Sequence, residues 1–201
     1  MAKKKTSKKQ TVQEKEMKTE AQNNPSLKPL VFSALFAALT AAVSPFKIPL
    51  GFTPVAITLQ TLVVLMSGAM LGPYYGALAM ILYVVVGALG LPVFAGGGPG
   101  IGAILGPTGG YLISYFIAAF AIGKVVQMRK EPKYIDYAIA MVVGTLIIYL
   151  LGAGWAMVVL PELTLAAVLI GWVLPFIIGD TIKLLAAAYI AKTVSLKQYL
   201  R

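Results

Sequence analysis

The sequence predicts an all-α integral membrane protein, a bundle of six transmembrane helices. Only 12% of its 201 residues are charged, whereas a soluble domain is usually about a quarter charged. Residues 48–123 form a stretch of 76 residues without any charge, which is enough for three crossings of about 20 residues each. Further uncharged runs cover 137–161 and 163–179. A soluble fold would scatter charges over its surface loops, so most of this surface does not face water.

The composition also excludes several classes of chemistry. The chain has no Cys and no His, which excludes disulfides, thiol catalysis, imidazole bases and Cys/His metal sites. The net charge of +10 would suit a nucleic-acid partner, but eight of the seventeen basic residues lie in the first 28 positions. We therefore expect no nucleic-acid partner, no metal site and no cofactor.

Two regions are distinguished along the chain. Residues 1–28 are rich in Lys, Glu, Gln and Asn with few large apolar residues, a composition that predicts a disordered basic tail. Residues 29–201 are predicted to form the six-helix membrane domain. Its helices are expected at 29–46, 55–71, 74–89, 111–127, 134–160 and 165–192.

Glycine and proline mark the ends of these helices. Pro29 suits a helix start, and Gly72-Pro73 predicts a tight hairpin between the second and third helices. The segment 90–110 holds nine glycines and three prolines and is predicted to be a long loop. Pro161-Glu162 turns the chain, and Pro175 predicts a bend in the sixth helix.

The distribution of basic residues predicts the orientation. With six crossings, fifteen of the seventeen basic residues lie on one side, and basic residues mark the cytoplasmic side. Both termini are therefore expected in the cytoplasm. Lys47 is the exception on the outer side, and Lys183 falls within the sixth helix. An odd number of helices would separate the two basic termini.

The first candidate site is Asp180 with Lys183, in the stretch PFIIGDTIKLLAAAYIA. Ionisable residues within a spanning segment are costly unless they are paired or face a cavity. A spacing of three places both side chains on one helix face. The pair is either a structural ion pair or the polar floor of a substrate cavity.

The second candidate is the glycine-rich loop, around Gly96, Gly97 and Gly98. Successive exposed N–H groups of such a loop form anion-binding concavities. No Gly-Lys-Ser/Thr follows, so it is not a Walker A motif, and it does not match a dinucleotide fingerprint. The alternative is a flexible external loop.

Two further features concern helix packing and access to a cavity. Alanines at helical spacing, which allow close approach of two helices, serve either packing within the monomer or docking of another membrane protein. The segment 47–61 joins the first two helices on the outside and would act as a lid, with Gln60 and Thr61 near its mouth. Tyr83 lines the cavity or, like these two, forms a helix–helix hydrogen bond. The docking candidates are Ala34, Ala38 and Ala42.

Four stretches resemble the BioY family, the biotin-binding S components of energy-coupling factor (ECF) transporters. They are ALFAALTAA, IPLGFTPVAITLQTLVVLMSG, GLPVFAGGGPGIGAILGPTGGYL and PFIIGDTIKLL. Together they span roughly 30–192, and the middle two are the most specific. The resemblance implies the six-helix S-component bundle, with biotin as its ligand.

The resemblance implies partners and roles as well. Biotin would be captured from outside a prokaryotic plasma membrane, and a transmembrane energising subunit with two ATPase subunits would drive its delivery inward. ATP would be used only by these partners. Asp180 and Lys183 suit the polar groups of biotin, and the amides of Gly96, Gly97 and Gly98 suit its carboxylate. Phe52, Val93 and Phe94 would pack on its apolar part, and the alanines of the first helix would face the energising subunit.

Three alternatives remain open at this stage. The chain is an S component for another small vitamin or precursor, a membrane enzyme using Asp180 and Lys183 as acid and base, or an assembly protein without a ligand. The absence of His and of a third polar partner argues against the enzyme.

Overall fold

Helices account for most of the structure, a computed structural model that describes residues 27–98, 100–194 and 196. The elements are α1 (Leu27–Val43), β1 (Lys47–Ile48), β2 (Ile57–Thr58), α2 (Gln60–Ala88), α3 (Ile101–Leu105), α4 (Gly109–Gln127), α5 (Tyr134–Val159) and α6 (Leu165–Thr193). Residues 1–26 of the predicted tail lie outside the described residues. Leu27 and Lys28 belong to α1, so the first helix begins two residues earlier than predicted.

The element α2 consists of two antiparallel arms. Gly72 interrupts it with φ 81° and ψ −178°, a backbone conformation that favours glycine, and Pro73 follows. Gln60 donates a hydrogen bond to the hydroxyl of Tyr83, although a straight helix would separate these residues by about 34 Å at about 1.5 Å per residue. The predicted hairpin at Gly72-Pro73 is therefore confirmed. With the arms counted separately, the long helices of the described chain number six, as predicted.

Four elements, α2, α4, α5 and α6, are long and apolar enough to cross a membrane. The helix α1 has 17 residues, which is at the lower limit of about 17 residues for a spanning helix. Large apolar side chains such as Val31, Leu150 and Ile178 are exposed on the outer surface, at 64%, 74% and 76%. Such a surface suits contact with lipid chains rather than water.

The connection between α1 and α2 differs from the prediction. The first helix ends at Val43 rather than at 46, and the second begins at Gln60 rather than at 55. Between them, Lys47 pairs with Thr58 and Ile48 with Ile57 in a short antiparallel ladder. Pro49 and Pro54 disfavour helix in this segment, whereas β-branched Ile and Thr suit an extended backbone. We call residues 47–58 the lid.

The helix α6 changes its winding where proline predicts an irregularity. Thr164 caps its start by accepting a hydrogen bond from the amide of Ala167 at 3.2 Å. A π-helical turn at Leu169–Val173 is followed by a 3₁₀ turn at Leu174–Phe176 that contains Pro175. Regular α-helix resumes at Ile177–Thr193. Asp180 therefore lies in the first turn of this last regular segment.

The bundle has two distinct ends. Pro29, Gly72, Pro73, Gly123 and Gln127 line one common pocket, so the start of α1, the α2 hairpin and the last turns of α4 lie together. We call this the turn end. The lid and the segment 94–98 meet over a second cavity, and we call that end the lid end.

Candidate ligand-binding site

The lid end contains a cavity of about 160 Å³. For comparison, an engineered cavity of about 150 Å³ holds benzene, so this one accommodates part or all of a small organic molecule. The lining combines apolar groups with several convergent polar ones, as ligand sites do. The described residues that line it include Lys47, Val55, Thr58, Gln60, Thr61, Phe94, Gly98, Tyr111, Leu112, Tyr115, Ile148, Tyr149, Phe176, Asp180 and Lys183.

Asp180 forms the acidic part of the cavity floor. Its side chain is 9% exposed and forms an ion pair with Lys183, as their spacing predicts. Thr61 donates a hydrogen bond to its Oδ1 at 3.2 Å, and Tyr149 donates to its Oδ2 at 2.5 Å. An ionised carboxylate has about four acceptor sites, so these three partners leave room for one further donor.

Lys183 uses its three N–H groups within the chain. Besides the ion pair, its Nζ donates to the carbonyl of Thr58 at 2.9 Å and to Oγ1 of Thr61 at 2.8 Å. A buried charge is tolerated when such partners are in place. Because Thr58 belongs to β2, Lys183 also ties the lid to the floor.

Gln60 lines the cavity, and Tyr83 lies behind it. Nε2 of Gln60 donates to the Tyr83 hydroxyl, and Oε1 accepts from Oγ1 of Thr58 at 3.2 Å. The Tyr83 hydroxyl donates in turn to the carbonyl of Val93 at 3.0 Å. Tyr83 is 1% exposed and does not line the cavity, so it positions Gln60 rather than facing the interior.

The glycine-rich loop contributes to the cavity through Phe94 and Gly98. Phe94 is buried and packs edge-on against Tyr83, with 5.6 Å between ring centroids. The hydroxyl of Ser44 donates to the carbonyls of Val93 and Phe94. The end of α1 therefore holds this part of the loop in place. Residues 101–105 of the predicted loop form the short helix α3.

Two of the three glycine amides predicted to bind an anion are engaged within the chain. The N–H of Gly96 donates to the carbonyl of Ser44 at 3.3 Å, and that of Gly97 donates to the carbonyl of Phe94 at 2.8 Å. Neither residue lines the cavity. Phe52, another predicted contact, is 66% exposed and also lies outside the lining.

Tyrosines are the cavity residues that sequence reasoning missed. Tyr111, Tyr115 and Tyr149 all line the interior, from α4 and α5. A tyrosine hydroxyl within an apolar helix needs a hydrogen-bond partner. Tyr111 donates to the carbonyl of Trp172 at 2.7 Å. These tyrosines lie in helices with few charges, but their spacing alone does not separate them from exposed tyrosines such as Tyr189.

The predicted docking alanines lie on the outer face of α1. Ala34, Ala38 and Ala42 are exposed, whereas Ser33 and Thr40 are fully buried. Ser33 donates to the carbonyl of Tyr75 at 2.9 Å, which directs the opposite face of α1 toward the bundle. The three alanines are therefore not used for packing within the monomer.

The described residues contain no group of three or more acidic, His or Cys residues that could hold a metal ion. The convergent groups of the cavity are instead hydroxyls, one amide, one carboxylate and two ammonium groups. This set is suited to hydrogen bonding and charge pairing with an organic ligand.

Comparison with known proteins gives a family match over almost the whole chain. The model of the BioY family matches residues 12–199. A probable biotin transporter BioY of Pyrococcus horikoshii is 40% identical over 79% of this chain and 91% of its own length. The biotin transporter BioY of Thermotoga maritima is 39% identical, over 82% of this chain and 94% of its own length.

A solved structure shares the fold. It is the crystal structure of the S-component for biotin from an ECF-type ABC transporter, with a TM-score of 0.78 and 31% sequence identity. The match covers 89% of this chain and 98% of that one. The six-helix membrane bundle of the S-component type, predicted from the sequence, is therefore confirmed.

Proposed function

Because this chain belongs to the BioY family, we propose that it is the biotin-binding S component of an ECF-type vitamin importer. The observation that carries the proposal is the buried Asp180–Lys183 pair at the floor of a lidded cavity. The relatives are named biotin transporters, and the structural neighbour is an S-component for biotin. These names favour ligand capture over catalysis.

The chemistry of biotin suits the cavity floor. Its ureido ring offers two N–H donors and one carbonyl acceptor. Asp180 has acceptor capacity left for a ureido N–H, and Lys183 binds the ureido oxygen by exchanging one of its present acceptors. Phe94, Ile148 and Phe176 supply apolar contacts for the remainder of the ligand. No cofactor is required for such binding.

The partners follow from the same proposal. A transmembrane energising subunit and two ATPase subunits supply the energy, and ATP is used only there. The exposed Ala34, Ala38 and Ala42 form a docking surface on α1, since small residues let another helix approach closely.

The orientation is supported by the two ends of the bundle. Lys28, Lys124 and Lys192 belong to the turn end or to helix ends on that side, whereas Lys47 belongs to the lid. Basic residues favour the cytoplasmic side. We therefore propose that the turn end and both termini face the cytoplasm of a prokaryotic cell, and that the cavity opens outward.

Isothermal titration of the purified protein with biotin tests the proposal. We expect saturable binding of one biotin per chain. Competition with a panel of other small vitamins distinguishes a biotin site from an S component of different specificity. Correctly folded protein that shows no heat of binding with biotin would overturn the proposal.

A further inference from the structure

The charges that line the cavity do not balance. Asp180 and Lys183 neutralise each other through their ion pair. Lys47, on β1, also lines the cavity. Within the described ranges, its ammonium has neither an ion pair nor a hydrogen bond to a partner. The described lining therefore carries one uncompensated positive charge.

The structure makes room for the Lys47 side chain along the glycine-rich loop. Gly96 has φ 74°, and a Cβ there would contact Nζ, Cε and Cδ of Lys47. The lysine stem thus occupies the space that a side chain at position 96 would need. The absence of a side chain at Gly96 leaves space for the Lys47 stem, so the role of Gly96 in the site is steric.

The amides of Gly96 and Gly97 are not available as an alternative anion site. Both N–H groups donate to carbonyls of the chain, those of Ser44 and Phe94. The positive charge of Lys183 is already compensated, since its ammonium is paired with Asp180 and also donates to Thr58 and Thr61. Among the described cations of the cavity, Lys47 thus has donors free for a ligand.

We propose that the Lys47 ammonium binds the carboxylate of the ligand and thereby fixes its direction in the cavity. This inference rests on the proposed function, in which the ligand is biotin. The ureido ring then lies at Asp180 and Lys183, and the valerate carboxylate lies at the lid. Lys47 and Thr58 are paired across the two lid strands, and the Thr58 carbonyl binds Lys183. The strand pair Lys47–Thr58 therefore contains or contacts the residues proposed to bind each end of the ligand.

The contact between Lys47 and the ligand carboxylate is tested by removing each of the two charges separately and then both together. Binding of biotin and of biotinamide, whose tail is neutral, is measured by isothermal titration for the wild type and for Lys47→Gln. We expect the wild type to prefer biotin about tenfold, which is about 1.4 kcal/mol. In Lys47→Gln, affinity for biotin falls about tenfold and affinity for biotinamide is unchanged, so the preference disappears.

Matched variants separate this contact from general effects. Lys192→Gln removes the same charge from an exposed position in the last turn of α6 and is expected to keep the wild-type preference. Lys47→Arg keeps the positive charge and is expected to keep most of the preference for biotin over biotinamide. Lys47→Met, with an unbranched apolar stem above Gly96, gives the same readout if Lys47→Gln fails to fold.

The possible failures are distinguishable. A wild type that binds neither ligand would overturn the proposed function, and this inference with it. A wild type that binds both ligands equally well, or a Lys47→Gln protein that keeps the preference for biotin, would overturn the role of Lys47 alone.

Discussion

The turn end and the lid end of the bundle hold their ion pairs in different surroundings. At the turn end, Arg129 is 71% exposed and lies 3.5 Å from Asp136. At the lid end, both members of the Asp180–Lys183 pair are at most 11% exposed and share Thr61 as a partner. An exposed pair contributes about 0–1 kcal/mol, whereas breaking a buried pair costs about 3–5 kcal/mol. The comparison indicates that the buried pair holds a fixed position beneath the cavity, whereas the exposed pair contributes little to stability.

The largest expected effect is that of Asp180→Asn. The substitution leaves Lys183 without its counter-ion and removes acceptor capacity from the cavity floor. We expect biotin affinity to fall more than tenfold, which is more than about 1.4 kcal/mol, and the unfolding temperature to fall as well. Lys183→Ala acts in the same direction. Titration with biotin and thermal unfolding measure the two effects.

Asp136→Asn is the matched control for this substitution. It changes the same chemical group at the turn end, where Asp136 accepts a hydrogen bond from the amide of Lys133 at 2.8 Å. Its biotin affinity is expected to equal that of the wild type. If Asp180→Asn and Lys183→Ala both retained wild-type affinity, only a structural role would remain for the buried pair.

A bulky substitution on the exposed face of α1 is expected to impair docking of the energising subunit without changing biotin binding. Ala38→Leu adds volume to an exposed face that we propose as an interface, and overpacking costs about 1–3 kcal/mol. We expect capture by the energising subunit in a pull-down to weaken about tenfold, with biotin affinity unchanged. Ala186→Leu changes an exposed alanine of α6 and should leave both properties intact. Equal effects of the two substitutions would contradict a specific docking face.

A smaller effect is expected from Tyr149→Phe. This change removes the donor that meets Oδ2 of Asp180, and a hydrogen bond of this kind contributes about 0.5–1.5 kcal/mol. We expect a loss of biotin affinity of about twofold to tenfold, measured by titration. Tyr189→Phe, at a side chain that is 66% exposed, is the control. An unchanged affinity in Tyr149→Phe would mean that the hydroxyl does not support the cavity floor.

The smallest effect is expected at the turn end. Arg129→Gln breaks the exposed pair with Asp136 and should change the free energy of unfolding by at most about 1 kcal/mol. Biotin affinity is expected to stay within the error of the titration. A loss of biotin affinity would show that the two ends are coupled and would remove the basis of the comparison.

The charge pattern predicted much of the architecture because membrane burial constrains charge so strongly. The uncharged runs predicted the number of helices, and Gly72-Pro73 predicted the hairpin that α2 contains. The pairing of Asp180 with Lys183 followed from their spacing on one helix. These features depend on local sequence and on the cost of charge in lipid.

Features that depend on long-range contacts were not predictable in the same way. Residues 55–59 read as the start of a helix, yet Ile57 and Thr58 pair with Ile48 and Lys47 across a turn. Tyr149 reaches Asp180 from a different helix, and no local pattern distinguishes it from an exposed tyrosine such as Tyr189. The engaged amides of Gly96 and Gly97 likewise depend on how the loop folds.

Amide hydrogen exchange with and without biotin tests most directly whether the ligand binds at the lid end and not at the turn end. We expect biotin to slow amide exchange in the lid, residues 47–58, and in the segment 91–98. Exchange at the turn end, residues 69–75 and 123–133, should be unchanged. Protection that appears at the turn end and not in the lid would contradict a biotin site beneath the lid.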